Sequence, residues 1–273
     1  MFHLSPSVVA ICLALVVPTA MIGCETTGES MRADRENPVD PTLGVIRLDY
    51  HYPPILGDVD FPGSFAYPVV YEMVEGLTFK RCQQGELDEA LKKGIKDAVQ
   101  RLEARGAVGI SGDCGFMINY QQFIQKQTQL PVFMSSVLLA PAILPLMDPT
   151  EKVAIMTANS KSLEPALPGM LEQCGLQGGI DRFLVVGCQD VPGFDAVANA
   201  KKVDRAEVGP GIEHLAMEIV KDHPDVKAFI FECTELGAYA NRVRSATGLP
   251  VFDSITVMDF YQGSMARNPR LDQ

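Results

Sequence analysis

An internal repeat constrains the fold of this chain more than any other feature of its sequence. Cys114 and Cys233 each follow an acidic residue, Asp113 and Glu232, and each lies sixteen residues before the same tetrapeptide, Leu-Pro-Val-Phe. A short apolar run precedes each cysteine, and a helical pattern follows it. So many features repeated at a single offset of 119 residues predict two homologous lobes.

Strand-like and helix-like segments alternate through both halves of the chain. Residues 86–105 carry apolar side chains every three or four positions, which predicts an amphipathic helix that ends at Gly106. Residues 162–174 also predict a helix, although Pro165 and Pro168 suit only its first turn or a break. Strands joined through helices of this length predict an α/β fold with parallel sheets.

The predicted organisation divides the chain into three parts. Residues 1–42 form a leader and linker, residues 43–148 the first lobe with Cys114, and residues 149–273 the second lobe with Cys233. We expect the C-terminal tail of the second lobe to pack back on the first lobe.

The leader has two interpretations. An apolar run from Val8 to Gly23 resembles the central region of a signal peptide, and Cys24 lies where a lipoprotein would be lipidated. This interpretation predicts an exported protein, bound to a membrane only if Cys24 carries a lipid. Alternatively, translation starts at Met31 or the leader is not functional, and the protein is cytoplasmic. Both interpretations stay open at this point.

The composition excludes several classes of function. A formal net charge of −11 repels phosphate backbones, so the chain is not expected to bind nucleic acid. The seven cysteines include no CxxC motif and the four histidines show no metal-ligand spacing, so we predict no metal site. The sequence has no glycine-rich phosphate-binding motif, and no cofactor is predicted.

The position of the two cysteines predicts acid–base chemistry. Each lies at a strand-to-helix junction, where a helix N-terminus lowers the pKa of a thiol and acidic neighbours raise it. Two lobes related by a pseudo-twofold axis would bring Cys114 and Cys233 to opposite sides of a cleft. One thiolate would then remove a proton from a carbon while the opposite thiol returned one, which inverts the carbon. The alternatives are a disulfide between the lobes and two small buried side chains.

The segments Gly109-Ile-Ser-Gly-Asp-Cys-Gly115 and Glu232-Cys-Thr-Glu-Leu236 resemble the two cysteine motifs of the aspartate/glutamate/hydantoin racemase superfamily. The resemblance implies two pseudo-symmetric flavodoxin-like lobes, an active-site cleft between them, and a racemase or epimerase that needs no cofactor. The chain departs from the usual pattern at two places. It has Cys114-Gly115-Phe116 where Cys-Asn-Thr is common, and Glu232 where a small or polar residue is usual.

The resemblance also implies roles for residues around the cysteines. Thr234 matches a hydroxyl that binds the substrate carboxylate, and Gly115 matches a position that offers its backbone N–H. Asp49 and Glu235 match acidic groups that assist the cysteines. From the residues alone, three polar positions after the first strand of the second lobe are further candidates for contact with a carboxylate, with a helix cap at Ser160 as the equal alternative: Thr157, Asn159 and Ser160.

Three functions are compatible with these sequence features. The first is a racemase or epimerase that inverts the α-carbon of a small amino acid, aspartate-like or glutamate-like, or of a related carboxylate. The second is a decarboxylase or cis–trans isomerase of the same superfamily. The third is a non-catalytic protein that binds a small molecule. We expect a small carboxylate as the ligand and a homodimer as one form of assembly.

Overall fold

A computed structural model describes residues 40–266, and these residues belong to one compact unit. Residues 1–39 and 267–273 lie outside the described part of the chain. The predicted targeting segment, Cys24 and the alternative start at Met31 therefore fall outside the described residues.

The first lobe is a four-stranded parallel sheet with the strand order β2-β1-β3-β4. Its strands are β1 (Thr42–Arg47), β2 (Val69–Met73), β3 (Ala107–Gly112) and β4 (Val132–Phe133). Its α-helices are α1 (Phe79–Gln84), α2 (Glu89–Ala104), α3 (Gln121–Gln125) and α4 (Ala140–Ile143).

The second lobe repeats this order as β6-β5-β7-β8, again with all neighbours parallel. Its strands are β5 (Lys152–Thr157), β6 (Phe183–Gly187), β7 (Val226–Phe231) and β8 (Val251–Phe252). Its α-helices are α5 (Ser160–Gln173), α6 (Arg205–Asp222), α7 (Ala240–Thr247) and α8 (Ser254–Met265). The predicted α/β class with two pseudo-symmetric lobes is confirmed.

Helix α2 shows how local sequence sets an element. It buries the predicted apolar stripe against the first sheet: Leu91, Ile95, Val99 and Leu102. The helix begins after Asp88, whose carboxylate accepts a hydrogen bond from the backbone N–H of Leu91. Gly106 follows with φ of 81°, a left-handed conformation that favours glycine and stops the helix.

The prediction that two prolines restrict α5 was wrong. The helix runs from Ser160 to Gln173 with Pro165 and Pro168 inside it. Both prolines lie on the exposed face, where water can solvate the carbonyl groups that lose a backbone donor. The buried face, which includes Leu163 and Leu167, holds the helix on the sheet.

The two lobes share a hydrophobic core. One cluster of buried side chains contains both Ile46 of β1 and Ile155 of β5. Polar contacts also cross between the lobes, since the Ser136 hydroxyl donates to the carbonyl oxygen of Phe231 at 2.7 Å. The carboxyl ends of the two sheets are therefore held together, and loops at these ends are where ligands bind in parallel sheets.

Helix α8 follows the last strand of the second lobe and contacts the first lobe. The Tyr261 hydroxyl donates to the carbonyl oxygen of Val108 at 3.0 Å, and its ring packs against Phe133 with 5.0 Å between ring centroids. The Tyr67 hydroxyl donates to the Asp259 carboxylate at 2.9 Å. The division of the chain into lobes at residue 148 stays a prediction.

Within residues 40–266, none of the helices has both the length and the apolar character needed to cross a bilayer.

Candidate active site

The two cysteine motifs contact each other where the lobes meet. Cys114 follows β3 and Cys233 follows β7, the corresponding strand of the second lobe. The Thr234 hydroxyl donates to the carbonyl oxygen of Asp113 at 2.6 Å, which ties the residue after one cysteine to the residue before the other. A Cβ atom on Gly115 would lie 2.2 Å from the Glu232 carbonyl oxygen, so only glycine allows this approach.

Two neighbouring cavities open at this junction. The smaller has a volume of about 40 Å³ and is lined by both Cys114 and Cys233. The larger has a volume of about 470 Å³, and of the two cysteines only Cys233 lines it. Phe79 and Gln83, from α1, line both cavities. The second cysteine therefore faces a space of ligand size, whereas the first faces only a narrow space.

Cys233 is paired with a carboxylate. Its Sγ lies 2.6 Å from Oε2 of Glu235 and donates a hydrogen bond to it. Burial raises the pKa of the Cys233 thiol well above its usual range, and the negative charges of Glu235 and Glu232 raise it further. Burial also raises the pKa of Glu235. The pair forms an arrangement in which the carboxylate can accept the thiol proton.

Cys114 has a different partner. A hydrogen bond with the thiol of Cys82 in α1 raises the pKa of Cys114 well above its usual range, and burial acts in the same direction. Its side chain is buried, whereas Cys233 is half-buried. The described part of the chain has both cysteines as free thiols, not joined in the disulfide that the sequence left open.

Of the two opposing effects predicted on the thiol pKa, the lowering by a helix N-terminus does not dominate, and the pKa of both thiols is raised. Each cysteine precedes a short 3-10 segment, Gly115–Tyr120 or Thr234–Tyr239. A segment of this length has a small dipole, and both thiols are desolvated beside carboxylates. Desolvation and negative charge favour the neutral thiol, so a thiolate needs a positive charge brought into the site.

Glu232 lies between the two motifs. One of its oxygens, Oε2, accepts a hydrogen bond from the Thr157 hydroxyl at 2.7 Å. The other, Oε1, is buried and has no hydrogen-bond partner. Burial raises the pKa of Glu232 to about 7. The residue lines the small cavity beside both cysteines.

Asp113 is the equivalent residue in the first lobe, and both of its carboxylate oxygens have a hydrogen-bond partner. Its two carboxylate oxygens accept from the backbone N–H of Leu48 at 3.1 and 3.0 Å, and Arg47 lies 3.9 Å away. Arg47 also forms a bidentate pair with Asp60 at 2.8 Å. This network holds the loop after β1 against the first cysteine motif.

Some of the predicted site residues line the cavities, and others do not. Thr157, Asn159, Thr234 and Glu235 line the small cavity with the two cysteines. Both threonine hydroxyls donate their protons within the protein, Thr157 to Glu232 and Thr234 to Asp113, so neither offers a proton to a carboxylate. Asn159 caps α5 by accepting from the backbone N–H of Lys161, which is the role predicted for Ser160.

Asp49, Gly115 and Ser160 do not line either cavity. The Asp49 carboxylate accepts from the backbone N–H of Gly76 at 2.9 Å and fixes the turn after β2. The expectation that Asp49 assists a cysteine is not supported by this geometry, because its carboxylate is committed to that turn. Gly115 instead serves the close contact with Glu232.

Several lining residues were not predicted from the sequence. They are Phe79, Gln83, Phe116, Ser162, Gln189, Phe194 and Asp195. Ser162 lies one turn from Asn159 on the same helix, a spacing that could have identified it. Phe79 and Gln83 lie on α1, about thirty residues before the first motif, and no local pattern connects them to it.

The chemistry of the lining is acidic and aromatic. Among the described residues, those lining the two cavities include no lysine, arginine or histidine. Four are acidic, namely Asp113, Asp195, Glu232 and Glu235, and three are phenylalanines, namely Phe79, Phe116 and Phe194. Carboxylates and aromatic faces attract cations. The described residues contain no group of three His, Cys, Asp or Glu side chains placed to hold a metal.

No family model matches the chain. Curated relatives do match it. "Dimethylsulfoniopropionate lyase 7" of Emiliania huxleyi (strain CCMP1516) is 48% identical over 234 residues, which cover 84% of this chain and 69% of the relative. "Dimethylsulfoniopropionate lyase" of Durusdinium sp. clade D is 43% identical over 230 residues, with 84% and 76% covered. The chain belongs to the dimethylsulfoniopropionate lyase family. It spans 61% of "Dimethylsulfoniopropionate lyase 3" of the same Emiliania strain, at 48% identity.

Solved structures confirm the superfamily fold for this member of the lyase family. Arylmalonate decarboxylase matches with a TM-score of 0.53 at 20% identity over 82% of this chain and 92% of that chain. An aspartate racemase homologue from Pyrococcus horikoshii OT3 matches with a TM-score of 0.53 at 17% identity over 83% and 98%. Allantoin racemase from Klebsiella pneumoniae matches with a TM-score of 0.53 at 10% identity over 82% and 87%.

The comparisons correct the predicted reaction class. The chain belongs to a family whose members are named lyases, so the predicted racemase or epimerase, and with it the isomerase class, is not supported. The decarboxylase alternative lies nearer, because a decarboxylase is also a lyase and shares this fold.

Proposed function

We propose that this protein is a lyase that cleaves dimethylsulfoniopropionate into dimethyl sulfide and acrylate by β-elimination, with Cys233 as the base. The observation that carries the proposal is the lining of the two cavities. A thiol paired with a carboxylate faces a space lined with aromatic and acidic side chains and without a basic one. The name of the family's lyases supports the same substrate.

The substrate's charges match this lining. Dimethylsulfoniopropionate is a zwitterion with a sulfonium group two carbons from a carboxylate. A sulfonium cation is stabilised by the faces of Phe79 and Phe194 and by the carboxylates of Asp195 and Glu235. Aspartate or glutamate carries a second carboxylate instead, and the lining offers it no cation.

The sizes of the two cavities favour one orientation of the substrate. The small cavity, at about 40 Å³, holds a group of a few atoms such as a carboxylate. The dimethylsulfonium group is bulkier and fits the cavity of about 470 Å³. Cys233 lines both, so in this orientation the carbon that joins the two parts of the substrate lies at its sulfur.

The reaction then needs a single base. The sulfonium charge favours the Cys233 thiolate, and Glu235 takes the thiol proton. The thiolate removes a proton from the carbon next to the carboxylate. The electron pair of that C–H bond forms the double bond of acrylate, and the pair of the C–S bond leaves with dimethyl sulfide. Glu235 then releases its proton to water, so one proton is produced for each substrate.

The test is an assay of the purified protein on both substrate classes. With dimethylsulfoniopropionate we expect equal amounts of dimethyl sulfide and acrylate, measured by gas chromatography of the headspace and by NMR. With L-aspartate and L-glutamate in D₂O we expect no deuterium at the α-carbon and no change of chirality. Deuterium in either amino acid, without release of dimethyl sulfide, would restore the racemase hypothesis and overturn the proposal.

A further inference from the structure

The carboxylate of the proposed substrate needs a hydrogen-bond donor in the small cavity, and the obvious candidates are committed elsewhere. The Thr157 hydroxyl donates to Glu232 and the Thr234 hydroxyl donates to the carbonyl oxygen of Asp113. Asp113 accepts hydrogen bonds from the backbone N–H of Leu48. Neither hydroxyl has a proton to share with an incoming anion, and both oxygens of Asp113 are occupied by the Leu48 N–H.

Glu232 differs from these residues in having one oxygen without a partner. Its side chain is 2% exposed and lines the small cavity, and Oε1 forms no hydrogen bond while Oε2 accepts from Thr157. A buried oxygen without a hydrogen-bond partner destabilises the folded protein, and a bound ligand that forms a hydrogen bond with it removes this destabilisation. The space beside Oε1 exists because residue 115 is glycine, since a Cβ there would lie 2.2 Å from this oxygen.

An ionised Glu232 would repel the carboxylate that the small cavity has to hold. A neutral Glu232 carries a proton on one oxygen, and the hydrogen bond from Thr157 to Oε2 leaves that proton on Oε1. The charged and titratable groups around it are Cys114, Cys233, Glu235 and, in the same cavity, Asp113. All of them are acids, so none supplies a positive charge that would keep Glu232 ionised.

We propose that Glu232 is a catalytic residue that is protonated when the substrate is bound and donates a hydrogen bond from Oε1 to the substrate carboxylate. This inference rests on the proposed lyase function. When Cys233 removes the neighbouring proton, negative charge builds up on the carboxylate oxygens, and a hydrogen bond from a neutral acid strengthens with that charge. Burial, which raises the pKa of Glu232 to about 7, acts in the direction that the proposal requires.

The first experiment uses binding and needs no turnover. Propanoate is a suitable probe, because it has the carboxylate and no double bond to which a thiol could add. Calorimetric titration in two buffers of different ionisation enthalpy measures the protons taken up on binding. Above about pH 7, we expect the wild type to take up close to one proton for each propanoate and its Kd to rise by about tenfold per pH unit.

Glu232→Gln keeps the size of the side chain and a donor for the carboxylate, but it has no proton to take up. We expect its Kd for propanoate to change by less than about threefold across the same pH range. Glu164→Gln, at an exposed position of α5, removes the same charge away from the site and should behave like the wild type. Binding by the wild type without proton uptake would overturn the proposal, and so would equal uptake by Glu232→Gln.

The second experiment measures turnover. Glu232→Ala removes the donor, and we expect kcat/KM for dimethylsulfoniopropionate to fall by about 10²- to 10³-fold. Glu232→Gln should retain activity within about tenfold of the wild type, because its amide N–H replaces the acid as donor. A Glu232→Ala variant that is folded and as active as the wild type would contradict the role. A wild type that takes up a proton with propanoate but releases no dimethyl sulfide would overturn the lyase function and not the carboxylate contact.

Discussion

The two lobes repeat the same backbone around their cysteines but not the same chemistry. Both cysteines follow the third strand of a sheet with an identical strand order. Two residues later, the first lobe has Phe116 and the second has Glu235. The pKa of the Cys114 thiol is raised chiefly by the thiol of Cys82, whereas Cys233 donates to the Glu235 carboxylate at 2.6 Å.

This difference fits the proposed elimination, which needs one base. Inversion of a carbon requires a base on one side and an acid on the other, and two equivalent thiols suit that task. Elimination requires one base and a leaving group. Of the two motif cysteines, only Cys233 has both a carboxylate partner and access to the cavity of about 470 Å³. We therefore expect Cys233 to contribute much more to catalysis than Cys114.

The largest expected effect comes from exchanging each sulfur for oxygen. In Cys233→Ser the hydroxyl is too weak an acid to become the base, so we expect kcat/KM for dimethylsulfoniopropionate to fall by at least about 10³-fold. The matched variant Cys114→Ser should stay within about tenfold of the wild type, because Cys114 removes no proton in the proposed step. Initial rates of dimethyl sulfide release measure both variants. Equal losses in the two variants would break the comparison between the lobes and favour a mechanism with two thiols.

A smaller loss is expected when the proton acceptor of Cys233 is removed. In Glu235→Gln the thiol must lose its proton directly to the solvent, so kcat at about pH 7 should fall by about 10²-fold. The loss should shrink as the pH rises, because hydroxide then replaces the carboxylate as acceptor. The pH profile of kcat is the measurement, with Glu164→Gln as a control for the change in charge. A variant with an unchanged profile would show that Glu235 does not take the proton.

Much of the fold was predictable because the determining patterns are local. The repeated spacing between each cysteine and its Leu-Pro-Val-Phe strand predicted two lobes, and the apolar stripe predicted α2. Helix α5 was harder, since a proline breaks a helix or is tolerated according to which face it occupies. Pro165 and Pro168 are exposed, and that depends on the packing of the whole lobe.

The site was only partly predictable, because its partnerships join segments that are distant in sequence. Glu235 and Thr234 lie next to Cys233, and both reach the cavity. By contrast, the Cys82 thiol that acts on Cys114 comes from α1, and the backbone N–H of Leu48 donates a hydrogen bond to the Asp113 carboxylate. The direction of the thiol pKa shifts also depends on burial. A sequence pattern predicts where strands and helices follow one another along the chain. It does not predict how many carboxylates lie around one sulfur once the chain is packed.

The smallest expected effect tests which lobe holds the sulfonium group. Phe194 of the second lobe lines only the larger cavity, and Phe116 of the first lobe lines only the smaller one. Loss of an aromatic face weakens binding of a cation by about 1 kcal/mol, so Phe194→Leu should raise KM for dimethylsulfoniopropionate by about fivefold. 4-Methylpentanoate has the same shape and the same carboxylate, with an uncharged CH group in place of the sulfonium, so its inhibition separates lost charge recognition from lost packing. Its inhibition constant should be nearly unchanged in Phe194→Leu. Phe116→Leu should leave the ratio of the affinities for dimethylsulfoniopropionate and 4-methylpentanoate as it is in the wild type.

If Phe116→Leu changes this ratio and Phe194→Leu does not, the sulfonium group lies on the Cys114 side, and the proposed orientation of the substrate is reversed.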